Sequence, residues 1–145
     1  MKKFIIVCWA LILSSCSGQL WFLSNTDINP EFIEYAKDFE QLCGVPVTGR
    51  KIQFSDDLGS NYVGWCVQNN IFIDKEAWDR YDSDGKRIIL YHELGHCVLN
   101  RRHDDGLIEL SGTPEVPKSI MNSFPLRVLL VYQMNKDYYH KELCP

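Results

Sequence analysis

The chain has 145 residues, of which 46% are apolar and 12% aromatic, with 15 Lys and Arg against 19 Asp and Glu. This length suits one domain, and the apolar content is enough for a packed core, which excludes disordered and collagen-like proteins. The net charge of −4 argues against a nucleic-acid partner, because phosphate binding needs an excess of basic residues.

The first residues of the chain have the composition of an export signal. Lys2 and Lys3 precede an apolar run over residues 4–13, which is shorter than the about 20 residues of a membrane-spanning helix. The run ends in the sequence Leu-Ser-Ser-Cys, which resembles the lipobox of bacterial lipoproteins, whose cysteine is acylated. We therefore expect residues 1–15 to be a lipoprotein signal peptide and Cys16 to be the lipidation site, with an ordinary signal peptide as the alternative.

A lipid on Cys16 would place the protein in the bacterial cell envelope, anchored to the membrane on its periplasmic or extracellular face. Residues 16–28 would then be a tether, and residues 29–145 the folded domain. Four further cysteines are expected to form two disulfides in that oxidising compartment, with their pairing open: Cys43, Cys66, Cys97 and Cys144. A zinc site made of these four is disfavoured, because no pair has C-x-x-C spacing.

The sequence after residue 28 predicts a small single-domain α+β fold with a short twisted sheet, an active-site helix and a C-terminal helix. Asn29 can cap the first helix, and Gly44 can end it. In chain order, the predicted elements are a helix over 30–43, a strand over 50–55, a hairpin of β-prone runs over 62–67 and 71–74, a helix over 86–99, a long polar loop over 101–118, and a last helix opened by Ser123 and Pro125.

The strongest chemical signal is His92-Glu93-x-x-His96, which lies within the predicted helix 86–99. Residues four apart share one face of a helix, so both imidazoles can bind the same metal ion, with Glu93 beside them. Zinc lowers the pKa of a bound water, and a neighbouring carboxylate can accept its proton. These residues therefore indicate a metal site with Glu93 as general base.

A catalytic zinc ion usually has three protein ligands, and the third is expected just downstream. We predict His103, because Asn100 can adopt the left-handed conformation that turns the chain back toward the helix. Asp104 is the alternative ligand, and Glu109 is a more distant one. Arg101 and Arg102 are expected to be solvated loop charges and not substrate clamps.

These motifs, together with Ser119-Ile120-Met121-Asn122, resemble the metzincin clan of zinc endopeptidases. That clan combines H-E-x-x-H-x-x-G-x-x-H/D with a downstream Met-turn beneath the metal, and the small size is similar to that of snapalysin-like bacterial members. The resemblance implies one Zn²⁺ held by His92, His96 and His103, with Met121 as the Met-turn methionine.

The spacing departs from the clan pattern by one residue. Leu99 and Arg102 occupy the positions of the clan's glycine and third ligand. Asn100 and His103 fit if the active-site helix is one residue longer, which shifts the turn and the ligand together.

The sequence thus predicts a zinc-dependent endopeptidase that acts on a peptide or protein and reaches the membrane through its lipid anchor. An edge strand, either 62–67 or 71–74, is expected to pair with extended substrate. The alternative is an envelope lipoprotein that uses a zinc-bound, weakly active or inactive peptidase fold as a binding module. A third hypothesis keeps the metal but changes the bond, as in an amidase acting on cell-wall peptides.

Overall fold

The structure is a computed structural model that describes residues 27–59, 62–110, 112 and 114–144. The expected signal peptide, the lipidation site Cys16 and most of the tether lie outside these ranges. Helices and short strands are both present, which confirms the α+β class. Within the described ranges, no helix combines the length and the apolar character that crossing a membrane requires.

The helices and strands follow the predicted order, with two additions and a division of the predicted last helix into two. They are α1 (Pro30–Cys43), β1 (Ile52–Ser55), β2 (Gly64–Val67), β3 (Asn70–Asp74), α2 (Lys75–Arg80), α3 (Ser83–Cys97), β4 (Leu107–Glu109), β5 (Glu115–Pro117), α4 (Leu129–Tyr132) and α5 (Lys136–Leu143). Single 3₁₀ turns, Pro125–Val128 and Gln133–Asn135, precede and follow α4. Helix α2 was not predicted, and the hairpin β4–β5 corrects the prediction of a long loop over 101–118.

Side-chain caps set where the helices begin. The Asn29 side chain accepts a hydrogen bond from the Glu31 N–H at 3.0 Å, and Gly44, with φ of 66°, ends α1 as predicted. The Asp82 carboxylate accepts from the Gly85 N–H at 3.0 Å. Helix α3 therefore begins at Ser83, earlier than the sequence pattern indicated.

The three-stranded sheet has the order β1-β3-β2, with β1 parallel and β2 antiparallel to β3. The turn between β2 and β3 has positive φ at Gln68 and Asn69, which suits the tight connection of a hairpin. Because β3 is the central strand, the prediction that 71–74 could be the substrate-pairing edge is wrong. Strand β2 lies at the edge of the sheet.

Helix α3 runs through the core, and every residue from Ile88 to Gly95 is buried. Burial of each large apolar side chain stabilises such a fold by about 1.5–3 kcal/mol. Further buried side chains come from α1, the sheet and α2: Phe32, Phe39, Ile52, Ile71, Ile73 and Trp78. The metal-site motif therefore lies on the most deeply packed helix of the molecule as described.

The hairpin β4–β5 returns the chain to where it left the end of α3. Strand β4 is antiparallel to β5. Next to the pair Leu107–Pro117, the Lys118 N–H also donates to the Gly106 carbonyl at 2.8 Å. The Asp104 N–H also donates to the Met121 carbonyl at 2.9 Å. The hairpin thereby brings the turn at 119–122 beside the segment that carries His103.

Two disulfides resolve the pairing that the sequence left open. Cys43 is joined to Cys144 across a sequence separation of 101 residues, and Cys66 to Cys97 across 31. The first holds the end of α5 against the end of α1. The second joins the edge strand β2 to the last residue of α3.

Replacing both Cys43 and Cys144 with serine should lower the free energy of unfolding by up to about 5 kcal/mol, because loss of the longer cross-link frees the most chain entropy in the unfolded state. Urea unfolding of the oxidised parent and variant measures this. Peptide mapping without reduction should recover Cys43 linked to Cys144 and Cys66 to Cys97. Recovery of Cys43 linked to Cys66 or Cys97 would contradict the pairing.

Candidate metal centre

Three imidazoles converge at the solvent side of α3. The Nε2 atom of His92 lies 3.1 Å from Nε2 of His96 and 3.3 Å from Nε2 of His103. The ligand atoms of all three lie within 4.8 Å of one another, so the group can hold a metal ion. The histidines that the sequence singled out are thus brought together.

Two backbone carbonyls determine which ring nitrogens face this centre. His92 Nδ1 lies 2.9 Å from the Ile120 carbonyl, and His96 Nδ1 lies 2.7 Å from the Arg101 carbonyl. A carbonyl only accepts, so each Nδ1 carries the hydrogen, and each neutral ring points the lone pair of Nε2 at its neighbour. Outer partners of this kind commonly fix the tautomer of metal-binding histidines.

Facing lone pairs repel each other, and a cation bound between them would remove this repulsion. Burial, followed by the neighbouring histidines, lowers the pKa of His92 to about 4, so a proton does not fill this role at neutral pH. Burial also lowers the pKa of His96. Two nitrogens bound tetrahedrally at about 2.05 Å from a metal lie about 3.3 Å apart, close to the separations observed. The donor set therefore fits a metal ion.

The chain reversal after α3 occurs one residue later than in the clan pattern. Asn100 has φ of 53°, as predicted, whereas Val98 stays in the right-handed helical region. The Arg101 N–H returns to the Gly95 carbonyl at 2.9 Å. This turn brings His103 back beside His92.

The alternative ligands lie outside the three-histidine group. The Asp104 carboxylate pairs with Lys118 Nζ at 3.0 Å and accepts from the Gly106 N–H at 3.0 Å. These hydrogen bonds lower the pKa of Asp104, that from Lys118 most strongly. Glu109 lies in β4 opposite Glu115. The geometry therefore favours His103 as the third ligand.

Glu93 lies beside the histidines at the floor of the cleft and is only 5% exposed. Burial raises the pKa of Glu93 to about 8, and a hydrogen bond from the Cys66 backbone N–H acts in the opposite direction. A Cβ atom on Gly64 would come within 2.8 Å of the Glu93 carboxylate. The edge strand thus packs directly on Glu93, and Gly64 is a site residue that sequence reasoning missed, since a glycine in a strand was its sole signal.

The turn at 119–122 packs against α3 beside His92 and Gly95. Met121 is fully buried, and a Cβ on Gly95 would come within 2.3 Å of its sulfur. Gly95, between the two helix histidines, therefore allows Met121 to approach the helix backbone. The assignment of Met121 as a Met-turn methionine stays a prediction.

Arg101 is not the solvated charge expected from the sequence. One guanidinium nitrogen donates to the backbone carbonyls of Glu142 and Leu143 at 2.8 and 3.1 Å. Another pairs with the Glu142 carboxylate. Arg101 thus ties the segment before His103 to the end of α5, while Arg102 is exposed as expected.

A cleft of about 950 Å³ opens over the three histidines and Glu93. Strand β2, the residues before it and residues 123–127 line the cleft together with the histidine group. Three aromatic side chains along it are more than half exposed: Tyr62, Trp65 and Phe124. The cleft therefore offers a bound molecule both apolar surface and access to the three histidines.

No protein-family model, curated protein or solved structure matches this chain.

His103→Ala should weaken Zn²⁺ binding by more than roughly 100-fold, the upper end of the loss expected when only an outer partner of a metal ligand is removed. Competition titration against a chromophoric chelator measures the affinity. Asp104→Asn is the matched control and should bind like the parent. The opposite ranking of these two variants would make Asp104 the ligand.

Glu93→Gln should change how the stability of the metal-free protein depends on pH. Since the pKa of Glu93 is about 8 when folded and 4.5 in its ordinary state, ionisation disfavours folding as pH rises through this window. Below pH 4.5 the carboxyl is neutral in both states, and this cost is absent. The stability of the variant relative to the parent should therefore rise by roughly 3–5 kcal/mol between pH 4.5 and 8.

Urea unfolding of both proteins with a strong chelator present measures this difference. His92 is common to both proteins, so its own titration cancels in the comparison. A difference that does not vary with pH would contradict the burial of an ionisable Glu93.

Proposed function

We propose that the protein is a zinc-dependent endopeptidase with Glu93 as its general base. One observation carries the proposal: three convergent imidazole nitrogens and a buried carboxylate share the floor of an open cleft. A purely structural metal site is usually closed by a fourth protein ligand and needs no such base. Among the described residues, the group that could hold an ion has three members, His92, His96 and His103, which would leave a fourth position for water or substrate.

His92, His96 and His103 would hold the ion, each through Nε2. Imidazole ligands suit zinc as well as copper, iron and nickel, and a three-histidine set with a free position is typical of catalytic zinc. When bound, such an ion supplies Lewis-acid chemistry, polarising a carbonyl group and making water a better nucleophile at neutral pH.

Glu93 supplies the proton transfer. Its carboxylate accepts a proton from the attacking water and delivers it to the leaving amine as the peptide bond breaks. Burial raises the pKa of Glu93, and a bound cation would lower it again toward neutral pH, where the group can both take up and release a proton. The Cys66 N–H donates a hydrogen bond to the carboxylate. Gly64 has no side chain and so leaves room for the carboxylate beside the edge strand.

An extended peptide in the cleft would lie along the edge strand β2, as in β-augmentation. The rings of Tyr62 and Trp65 stack with their centroids 5.9 Å apart on that side. Phe124, which is 67% exposed, also lines the cleft. Such a cleft favours peptides with apolar or aromatic side chains near the cleaved bond.

The exposed aromatic rings also support the second candidate, a binding module with little or no activity. Exposed aromatic rings can bind a ligand whether or not Glu93 catalyses its cleavage. Peptide libraries and cell-wall fragments, assayed in parallel for cleavage and for retention, separate the two candidates and the amidase hypothesis. Retention without cleavage favours the binding module, and release of wall fragments alone favours the amidase.

Glu93→Gln should retain metal binding and lose about 10²–10⁴-fold in the rate of peptide cleavage, because the amide cannot accept the proton of the attacking water. Cleavage of a fluorogenic peptide library by the zinc-loaded protein, with zinc content measured in parallel, tests this. Glu109→Gln, which changes an exposed glutamate of β4, is the control and should cleave like the parent. Parental cleavage by Glu93→Gln would exclude the mechanism.

A further inference from the structure

We propose that Glu142, on the last turn of α5, is a positioning residue for the metal centre. Its carboxylate holds in place both backbone carbonyls that orient the helix histidines. The proposal rests on the metal site of the proposed function, and it does not depend on peptide hydrolysis.

The first connection runs through Arg101. One carboxylate oxygen of Glu142 pairs with the Arg101 guanidinium, which also donates to two carbonyls at the end of α5. The backbone carbonyl of the same Arg101 accepts from His96 Nδ1 at 2.7 Å. Because the Arg101 N–H is also bound to Gly95, both the backbone and the side chain of this residue are fixed.

The second connection runs through Ser119, which is fully buried. Its hydroxyl donates to the other carboxylate oxygen of Glu142 at 2.7 Å and accepts from the Met121 N–H at 2.9 Å. Ile120 lies between these two anchored residues, and its carbonyl accepts from His92 Nδ1 at 2.9 Å. The Ser119 side chain therefore fixes the peptide group on which His92 depends.

The burial of this network makes its loss costly. The Glu142 and Arg101 side chains are 14% and 21% exposed, so removing the carboxylate leaves a poorly solvated guanidinium and a buried hydroxyl without their acceptor. Both carbonyls would then lose the side-chain support that Glu142 gives and keep only their neighbouring backbone hydrogen bonds, so both helix histidines would sample more than one ring orientation. Partners outside the ligand shell typically account for 10–100-fold in metal affinity.

Glu142→Ala should therefore weaken Zn²⁺ binding by about 10–100-fold in a chelator competition titration. Asp137→Ala removes an exposed acid from the same helix and should bind like the parent. Both titrations are made at a temperature where circular dichroism shows each protein fully folded. Parental affinity of Glu142→Ala would overturn the proposal.

A second measurement uses the metal-free protein and reports on the rings themselves. Nitrogen-15 NMR of the imidazoles should show Nδ1 protonated in His92 and His96 of the parent, and a mixture of tautomers in both rings of Glu142→Ala. Ser119→Ala cuts one connection only and should perturb His92 while leaving His96 unchanged. Unchanged tautomers in Glu142→Ala, or equal effects of Ser119→Ala on both rings, would overturn the proposal.

If Glu142→Ala does not fold, Glu142→Gln gives the same test. The amide matches the carboxylate in size, but its NH₂ group would face either the Arg101 guanidinium or the Ser119 hydroxyl, and both of these donate to Glu142 in the parent. We therefore expect a loss of affinity in the same direction but smaller. Parental affinity and tautomers in this variant would overturn the proposal. A parent that binds zinc and passes these tests but cleaves no peptide would refute the peptidase function and leave the role of Glu142 standing.

Discussion

The donation of two ring N–H groups to backbone carbonyls is the interaction on which the site depends. His92 and His96 each use Nδ1 in this way, and as a result both present an unprotonated Nε2 to the same small volume. The helix alone places the rings on one face but leaves their rotation free. The Arg101 carbonyl lies only five residues after His96, but the Ile120 carbonyl lies 28 residues after His92, so the centre is complete only when the turn at 119–122 has packed against the helix.

The local part of this arrangement could be predicted from the sequence because it rests on short-range rules. The spacing of His92 and His96 requires only a helix, and Asn100 is one of the few residue types that turns a chain at positive φ. The caps of α1 follow from Asn29 and Gly44 for the same reason. Each of these predictions concerns atoms a few residues apart.

The remaining features depend on contacts between distant segments, which one sequence does not specify. The disulfide pairing, the central position of β3 and the contact of Gly64 with Glu93 are all of this kind. Arg101 is the clearest case, because its type and its polar surroundings indicate an exposed loop charge. Its real partner, Glu142, lies 41 residues further along the chain.

The left-handed residue at Asn100 has a consequence for how such centres vary between proteins. The backbone of Val98 continues the helical conformation, and the reversal waits until Asn100. His103 is the third residue after the reversing residue Asn100, the same interval as in the clan pattern. Asn100 is the fourth residue after His96, one more than in that pattern. A search that fixes the number of residues separating the second and third ligands would therefore overlook proteins that build the same three-nitrogen face from a slightly longer helix.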